Sequence, residues 1–135
     1  MKLPALLIPV ALLLGCSSTN TYEPVEKTAV VDPVLLNKVI TDPGLNRVAR
    51  VVGAREQRET EPYVVQVEIQ NLTREPQRFL YQWEWVLPNG LVYQSDSQDA
   101  WRQEWIRGRE IVYLEGVAPV PGVRDFKLKL TEPAD

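Results

Sequence analysis

Very few side chains in this sequence could carry out nucleophilic or metal chemistry. Cys16 is its only cysteine, and there is no histidine. Without histidine, a His-assisted nucleophile is excluded, and one cysteine forms neither an intrachain disulfide nor a zinc site. A Ser-Lys hydrolase would need the Ser-x-x-Lys pattern, which the sequence lacks. The composition therefore predicts a protein that is not an enzyme and that has no cofactor.

Carboxylates are the remaining groups with catalytic or metal-binding potential. Glu68 and Glu84 could serve as the acid and base of a glycan hydrolase, but each falls on the polar side of a predicted strand, facing solvent. Asp96 and Asp99 flank a Ser-Gln pair and could contact calcium, yet the segment lacks the glycine and bidentate glutamate of an EF-hand loop. Hydrogen bonds within a turn explain these aspartates better, so we expect no metal site.

Three neighbouring residues are candidates for contact with a ligand or partner. Trp101 and Trp105 fall on one face of a predicted strand, and Arg102 falls on the other. Aromatic side chains bury large apolar areas, so the pattern favours packing of the tryptophan face inside the protein. The alternative is an exposed aromatic patch, with Arg102 and Arg107 close by, that contacts a partner protein or the rings of a glycan.

The N-terminus has the layout of a secretory signal peptide. Lys2 supplies a positive charge, and residues 3–14 are uncharged and mostly apolar. This length suits a signal sequence and falls short of the about 20 apolar residues that span a membrane. Gly15 provides the small residue that a signal peptidase requires before Cys16. The predicted divisions are a signal peptide over 1–15, a lipid-anchored linker over 16–33 and a folded domain over 34–135.

The run Leu13-Leu14-Gly15-Cys16 resembles the lipobox of bacterial lipoproteins. The resemblance implies that Cys16 begins the mature protein and carries a lipid, so that the membrane is a partner through this anchor. In lipoproteins, absence of aspartate after the cysteine goes with export to the outer membrane, and Ser17 follows here. The expected location is the periplasmic face of the outer membrane. Lys2 is lost with the signal peptide, which changes the net charge from −3 to −4. A protein with this negative charge is unsuited to bind nucleic acid.

Beyond the linker, apolar residues alternate with polar ones at a period of two. Val65, Val67 and Ile69 show this alternation. Trp83 and Trp85 share a face with a tyrosine and are predicted to form the core. The predicted strands are 35–41, 47–57, 63–71, 78–87, 91–95, 101–107, 109–116 and 124–131. Seven or eight short strands indicate an all-β, antiparallel immunoglobulin-like β-sandwich without its disulfide, and a small barrel is the alternative.

Two short motifs mark turns between these strands. Asn89-Gly90, after Pro88, predicts a hairpin over 78–95 that is closed by a type I′ turn. Asn71-Leu72-Thr73 has the form of a glycosylation sequon. Because the anchor is of the bacterial type, we interpret Asn71 as the end of a strand and the start of a turn.

Several segments of the predicted domain resemble the YcfL family of periplasmic lipoproteins. The segments are 67–71, 81–85 before the Asn-Gly turn, 100–102, 117–119 and 126–128, and their order and spacing hold over about residues 35–131. The resemblance implies the same fold and location, and it implies no known activity. Relatives tend to lie beside a lipoprotein activator of peptidoglycan synthases, which implies a partner within the peptidoglycan synthesis machinery.

The function favoured by the sequence is a non-enzymatic interaction domain that binds another envelope protein. Edge strands and end loops, such as 96–103, are the expected contact surfaces. The alternative is a binder of peptidoglycan or lipopolysaccharide, in which Trp101 and Trp105 contact the glycan and Arg102 lies nearby.

Overall fold

The described part of the chain forms two short helices and eight strands, and the strands build two sheets. The computed structural model describes residues 32–94 and 100–134. The helices are α1 (Pro33–Leu36) and α2 (Leu45–Val48), and the strands are β1 (Val39–Thr41), β2 (Ala49–Gln57), β3 (Val64–Asn71), β4 (Gln77–Val86), β5 (Val92–Tyr93), β6 (Arg102–Ile106), β7 (Ile111–Val117) and β8 (Asp125–Thr131). Within the described ranges, no helix is long and apolar enough to cross a membrane. The predicted signal peptide, Cys16, Asp96 and Asp99 lie outside these ranges.

The strands form an all-β sandwich, which confirms the predicted fold class. The larger sheet has the order β1-β8-β4-β5, and β6 also pairs with β4. The smaller sheet has the order β2-β3-β7. Neighbouring strands are antiparallel except for β1 and β8, which run parallel.

The core lies between the sheets and follows from the period-two pattern. Val65, Val67 and Ile69 of β3 are at most 1% exposed, while the polar residues between them face outward. Trp83 and Trp85 of β4 oppose them from the larger sheet, and both are buried as predicted. Their rings stack, with centroids 5.6 Å apart and planes 9° from parallel. This stack forms the aromatic centre of the core.

The first predicted strand, 35–41, is wrong in its first half. Asp32 caps α1, since its carboxylate accepts a hydrogen bond of 2.9 Å from the Val34 N–H, and Pro33 occupies the first helical turn. These two residues favour a helix start strongly enough to outweigh the apolar run that follows. The chain becomes extended only at Val39.

The predicted hairpin between β4 and β5 is confirmed, but its turn is of another type. The Gly90 N–H donates a hydrogen bond of 2.8 Å to the Leu87 carbonyl, so Pro88 and Asn89 are the central residues. Gly90 has a φ of +84°, whereas Asn89 is not among the described residues with positive φ. Pro88 fixes a negative φ at the first central position, so the type I′ turn gives way to a longer loop that ends on a left-handed glycine.

Candidate functional site

Trp105 lies on the outer surface of the larger sheet, so the predicted packing of the tryptophan face inside the protein is wrong. Its side chain is 57% exposed and that of Trp101 is 46% exposed. Ile106, the next residue along β6, is 2% exposed and takes the inward position, which turns Trp105 outward. Arg78 on β4 pairs with Trp105, and its guanidinium carbon lies 5.7 Å from the centre of the ring.

Arg102 lies on the opposite face of β6 from Trp105, so the predicted trio does not form one cluster. Arg102 pairs with Tyr81 of β4, whose side chain faces the core. It lines a cavity of about 200 Å³ that β4, β6 and β7 border and that opens to solvent, since Arg102 itself is exposed. The cavity is lined by Tyr81, Gln82, Trp83, Trp85, Ala100, Arg102, Glu115, Gly116 and Val117.

Two tryptophans that line this cavity carry buried hydrogen-bond donors without acceptors. The indole Nε1 atoms of Trp83 and Trp85 are buried and have no hydrogen-bond partner among the described residues. Arg102, by contrast, is exposed, and it makes no ion pair or side-chain hydrogen bond within that part of the chain. An unmet donor is costly in a protein interior, but neither indole N–H is accessible from the cavity, and water can hydrate the exposed Arg102.

Gly116 of β7 allows the wall of the cavity to approach the tryptophan. A Cβ atom at this position would lie 2.7 Å from Cε2 of Trp83, closer than any ordinary contact. The indole therefore rests against bare backbone. A glycine within a strand pattern is the sequence signal for such an approach, and our sequence interpretation missed it.

β7 forms a regular edge of the smaller sheet. It pairs with β3 over its whole length without a register shift, and it has no second partner among the described strands. The Asn71 N–H donates to the Glu110 carbonyl and the Ala118 N–H donates to the Tyr63 carbonyl. Antiparallel alternation then directs the main-chain groups of 111, 113, 115 and 117 away from β3.

The same four positions of β7 carry outward-facing side chains. Ile111, Tyr113 and Val117 are 42%, 57% and 44% exposed, and Glu115 is exposed between them. Unpaired backbone and apolar side chains thus lie along one strip of surface. Such an edge is a template for pairing with another chain.

The other described strand edges are protected by length, irregularity or charge. β1 has three residues and β5 has two. β2 is interrupted by a register shift between Val51 and Gly53 and carries Arg50 and Arg55. The five residues of β6 include Arg102 and Glu104. β7 alone among the described edges combines length, regularity and exposed apolar side chains.

The carboxylates considered for glycan hydrolysis do not come together. Glu68 lies on the outer face of the smaller sheet and pairs with Arg55 at 3.5 Å. Glu84 lies on the outer face of the larger sheet and pairs with Lys129. The sandwich separates them, so they cannot flank one scissile bond. Residues 32–94 and 100–134 also contain no cluster of three or more metal-ligating side chains.

Asn71 and Tyr63 are buried, and their polar side-chain groups make hydrogen bonds. Asn71 is 0% exposed and ends β3 as predicted, and Thr73 donates to its side-chain oxygen through both its N–H and its hydroxyl. Burial raises the pKa of Tyr63, and the hydrogen bond of 2.6 Å that its hydroxyl donates to Glu56 raises it further. Tyr63 therefore stays protonated at neutral pH and has a structural role.

Asp125 and Lys38 form an ion pair near Tyr63. Burial by itself would raise the pKa of Asp125, but hydrogen bonds from Lys38 and from the Phe126 N–H hold it below its usual value. The carboxylate is therefore ionised at neutral pH, and it ties β8 to the segment before β1.

Comparison with known proteins places the domain among proteins of unknown function. Residues 36–132 match the model of a family described as "Protein of unknown function (DUF1425)". A crystal structure of a DUF1425 family member from Shewanella sp. pv-4 is similar, with 17% identity and a TM-score of 0.57, over 64% of this chain and 80% of that chain.

The crystal structure of Campylobacter jejuni cj0090 is also similar. It has 18% identity and a TM-score of 0.59, over 72% of this chain and 99% of that chain. At such low identity, both structures show a shared fold only. No curated protein matches the chain.

Proposed function

Since the chain belongs to the DUF1425 family, whose function is unknown, we propose that it is a non-enzymatic interaction domain that binds an extended segment of another envelope protein at β7. One observation carries the proposal: β7 is a regular seven-residue edge whose outward backbone groups and exposed apolar side chains lie on the same residues. An added strand would satisfy the backbone groups, and its side chains would cover Ile111, Tyr113 and Val117. Glu115, between them, favours a basic residue in the added strand.

We further propose that the protein is a YcfL-like lipoprotein, anchored through Cys16 to the periplasmic face of the outer membrane. The lipobox-like run and the family-like segments of the domain support this proposal. The expected partner then belongs to the peptidoglycan synthesis machinery. Replacement of Cys16 by serine should move the protein from the membrane fraction to the soluble periplasm and abolish labelling by palmitate, whereas Ser17→Ala should do neither. Unchanged membrane association of the Cys16→Ser protein would refute the anchor.

The proposed β7 interface is tested by crosslinking in cells. A photoreactive amino acid at Glu115 should give a discrete adduct, and the same group at Arg55, on the protected edge β2, should not. Tyr113→Pro should remove the Glu115 adduct, because it deletes an N–H that points away from β3 and so leaves the existing ladder paired. Equal adducts from both edges, or an adduct unaffected by Tyr113→Pro in a folded protein, would contradict binding at β7.

A second candidate function is binding of peptidoglycan or lipopolysaccharide on the outer face of β6. The exposed position of Trp105 beside Arg78 favours it, because an aromatic face can stack on a sugar ring. Trp101, also exposed, precedes the same strand. Co-sedimentation with purified peptidoglycan tests this candidate, with Trp105→Ala as the variant. Undiminished sedimentation of that variant would exclude Trp105 from a glycan site.

A further inference from the structure

Two loops with uncharged tips project from one end of the sandwich, the end at which β8 begins. The first is the hairpin tip, residues 87–92, which follows the pairing of Val86 with Asp125 at the start of β8. The second is the β7–β8 loop, residues 118–124. The sequence has no charged residue over 85–94 or over 116–123. Exposed turns are ordinarily polar, so two uncharged tips at one end call for an explanation in terms of contact.

Both tips stand clear of the rest of the domain. A Cβ atom on Gly90 or on Gly122 would meet no other atom within 4 Å. Leu91, at 63% exposure, is the most exposed large apolar side chain among the described residues, and Val92 beside it is also exposed. The β7–β8 loop borders an open groove with a mostly apolar lining, formed by Glu61, Pro62, Ala118, Pro119, Val120 and Pro121. Apolar groups gathered on a surface in this way mark an interaction site.

Most charged side chains near these tips are neutralised by a partner. Three ion pairs lie at this end, namely Lys38–Asp125, Glu56–Arg58 and Glu61–Arg124. At the opposite end, Arg47, Arg74 and Arg107 are exposed and make no ion pair within the described part of the chain. One end of the sandwich is therefore apolar with paired charges, and the other carries unpaired charges suited to water.

The chain enters the domain at the apolar end. Lys38, which follows α1 by two residues, pairs with Asp125 beside the β7–β8 loop. Asp32, the first described residue, comes 16 residues after the proposed lipid anchor at Cys16. That length of chain reaches at most about 55 Å, so the anchor keeps the domain close to the lipid. Such tethering populates a contact that would be too weak for a free protein.

We propose that the apolar end of the domain docks on the lipid surface that holds the Cys16 anchor, with the hairpin tip and the β7–β8 loop at the level of the headgroups. This inference rests on the proposed anchor. Leu91 and Val92 enter the boundary between headgroups and acyl chains, which favours apolar side chains. The end with the unpaired arginines then points away from the membrane. Positions 111, 113 and 115 of β7 stay open to a partner, since the β7–β8 loop begins only after Val117.

Fluorescence on vesicles tests the docked orientation. Cys16 is the only cysteine and its sulfur is bonded to lipid in the anchored protein, so one added cysteine supplies a single free thiol. Leu91→Cys places an environment-sensitive fluorophore on the hairpin tip, and Arg74→Cys places it on an exposed turn at the opposite end as the matched control. Each lipidated protein is reconstituted into vesicles of phosphatidylethanolamine and phosphatidylglycerol that contain a lipid with a nitroxide at the top of its acyl chain. Flotation selects the bound protein.

The label at Leu91→Cys should emit at shorter wavelength than the label at Arg74→Cys and should be quenched by the nitroxide. The label at Arg74→Cys should be quenched by iodide from the water instead. Equal emission and equal quenching at both ends of floated protein would overturn the docking and leave the anchor intact. Protein that does not float would refute the anchor and this inference with it. A Leu91 label that stays in water, together with a protein adduct from a photoreactive group at Leu91 in cells, would assign this end to a protein partner and overturn the proposal.

An added charge tests whether the two tips dock together. With the fluorophore at Pro121→Cys, on the β7–β8 loop, Leu91→Asp should reduce quenching by the nitroxide and shift the emission to longer wavelength, because a carboxylate is costly among acyl chains. Asn46→Asp adds the same charge at an exposed position of α2, at the opposite end, and should change neither readout. Both substitutions are at exposed positions, so the fold should persist. A Pro121 label that does not respond to Leu91→Asp would show that the hairpin tip makes no contact with lipid, contrary to the proposal.

Discussion

The side-chain amide of Asn71 donates a hydrogen bond of 3.1 Å to the main-chain carbonyl of Ile106. Asn71 ends β3 of the smaller sheet, and Ile106 ends β6 of the larger one, so this contact joins the two sheets at one end of the sandwich. The same amide group lies 2.7 Å from the Glu75 carbonyl and 3.1 Å from the Arg107 carbonyl. One buried side chain therefore holds the turn after β3 and the loop after β6 in place.

Replacement of Asn71 by alanine should destabilise the domain by about 2–3 kcal/mol, because buried carbonyl groups and the Thr73 N–H lose their partner. Chemical denaturation measures the loss. Asn37→Ala is the matched control, since Asn37 is exposed and contributes only backbone hydrogen bonds, and it should change stability by less than about 0.5 kcal/mol. Similar losses in both variants would show that Asn71 does not join the sheets.

Replacement of Gly116 by alanine should cost about 1–3 kcal/mol, because the new Cβ would overlap the Trp83 indole. Displacement of that indole should also move its NMR signal. Gly53→Ala is the matched control: its Cβ would meet the Glu68 carboxylate at 2.9 Å, and that flexible side chain can rotate away. The thermal midpoint should be highest for the wild type, lower for Gly53→Ala and lowest for Gly116→Ala. A lower midpoint for Gly53→Ala than for Gly116→Ala would contradict the close packing.

Stability should decrease at alkaline pH because of Tyr63. Its folded pKa is raised, mainly by burial, above the value of about 10 for an unfolded tyrosine. The folded state therefore holds the phenolic proton more tightly, so this contribution is complete below about pH 10 and is lost as pH rises towards the folded pKa.

Urea denaturation between pH 8 and pH 11 measures this decrease, and Tyr63→Phe is the control because it removes the titrating group. Absorbance of tyrosinate should show one tyrosine that ionises only on unfolding. An identical alkaline decrease in wild type and Tyr63→Phe would assign the effect to other groups.

Trp105→Ala and Tyr113→Ala form a matched pair for the two candidate binding surfaces. Both side chains are 57% exposed, so each substitution should change the free energy of unfolding by less than about 0.5 kcal/mol. If both surfaces bind, Trp105→Ala should reduce peptidoglycan co-sedimentation and leave the β7 crosslink intact, and Tyr113→Ala should do the opposite. A central aromatic contact contributes more than about 1 kcal/mol, which is roughly a fivefold or greater loss of affinity. Equal losses in both assays from either variant would mean that the two surfaces are not distinct.

Much of the sheet structure could be predicted from alternation alone. β3, β4 and β8 lie within one residue of the predicted bounds, because one side of each strand is apolar and the other polar. The orientation of β6 could not be predicted in this way. Both faces of 101–107 carry a large apolar residue, and only packing against the core selects Ile106 over Trp105.

The cavity could not be predicted, for a related reason. Its lining residues come from β4 and β6 of one sheet and from β7 of the other. The alternation of apolar and polar residues within a strand does not predict which strand of the other sheet lies opposite. Gly116 was a signal that something approaches β7 closely, but the sequence did not identify Trp83 as the neighbour.

The position of β8 determines when the larger sheet can form during synthesis of the chain. Leu128 pairs with Val39 of β1 on one side and with Trp83 of β4 on the other, so β8, the last of the described strands, is an inner strand of the larger sheet. Until the ribosome has added residues 125–131, β1 has no strand to join. Closing such a long loop is entropically costly and slows folding. The larger sheet is therefore completed only after β8 has been synthesised, and a chain truncated before β8 would lack an inner strand of that sheet.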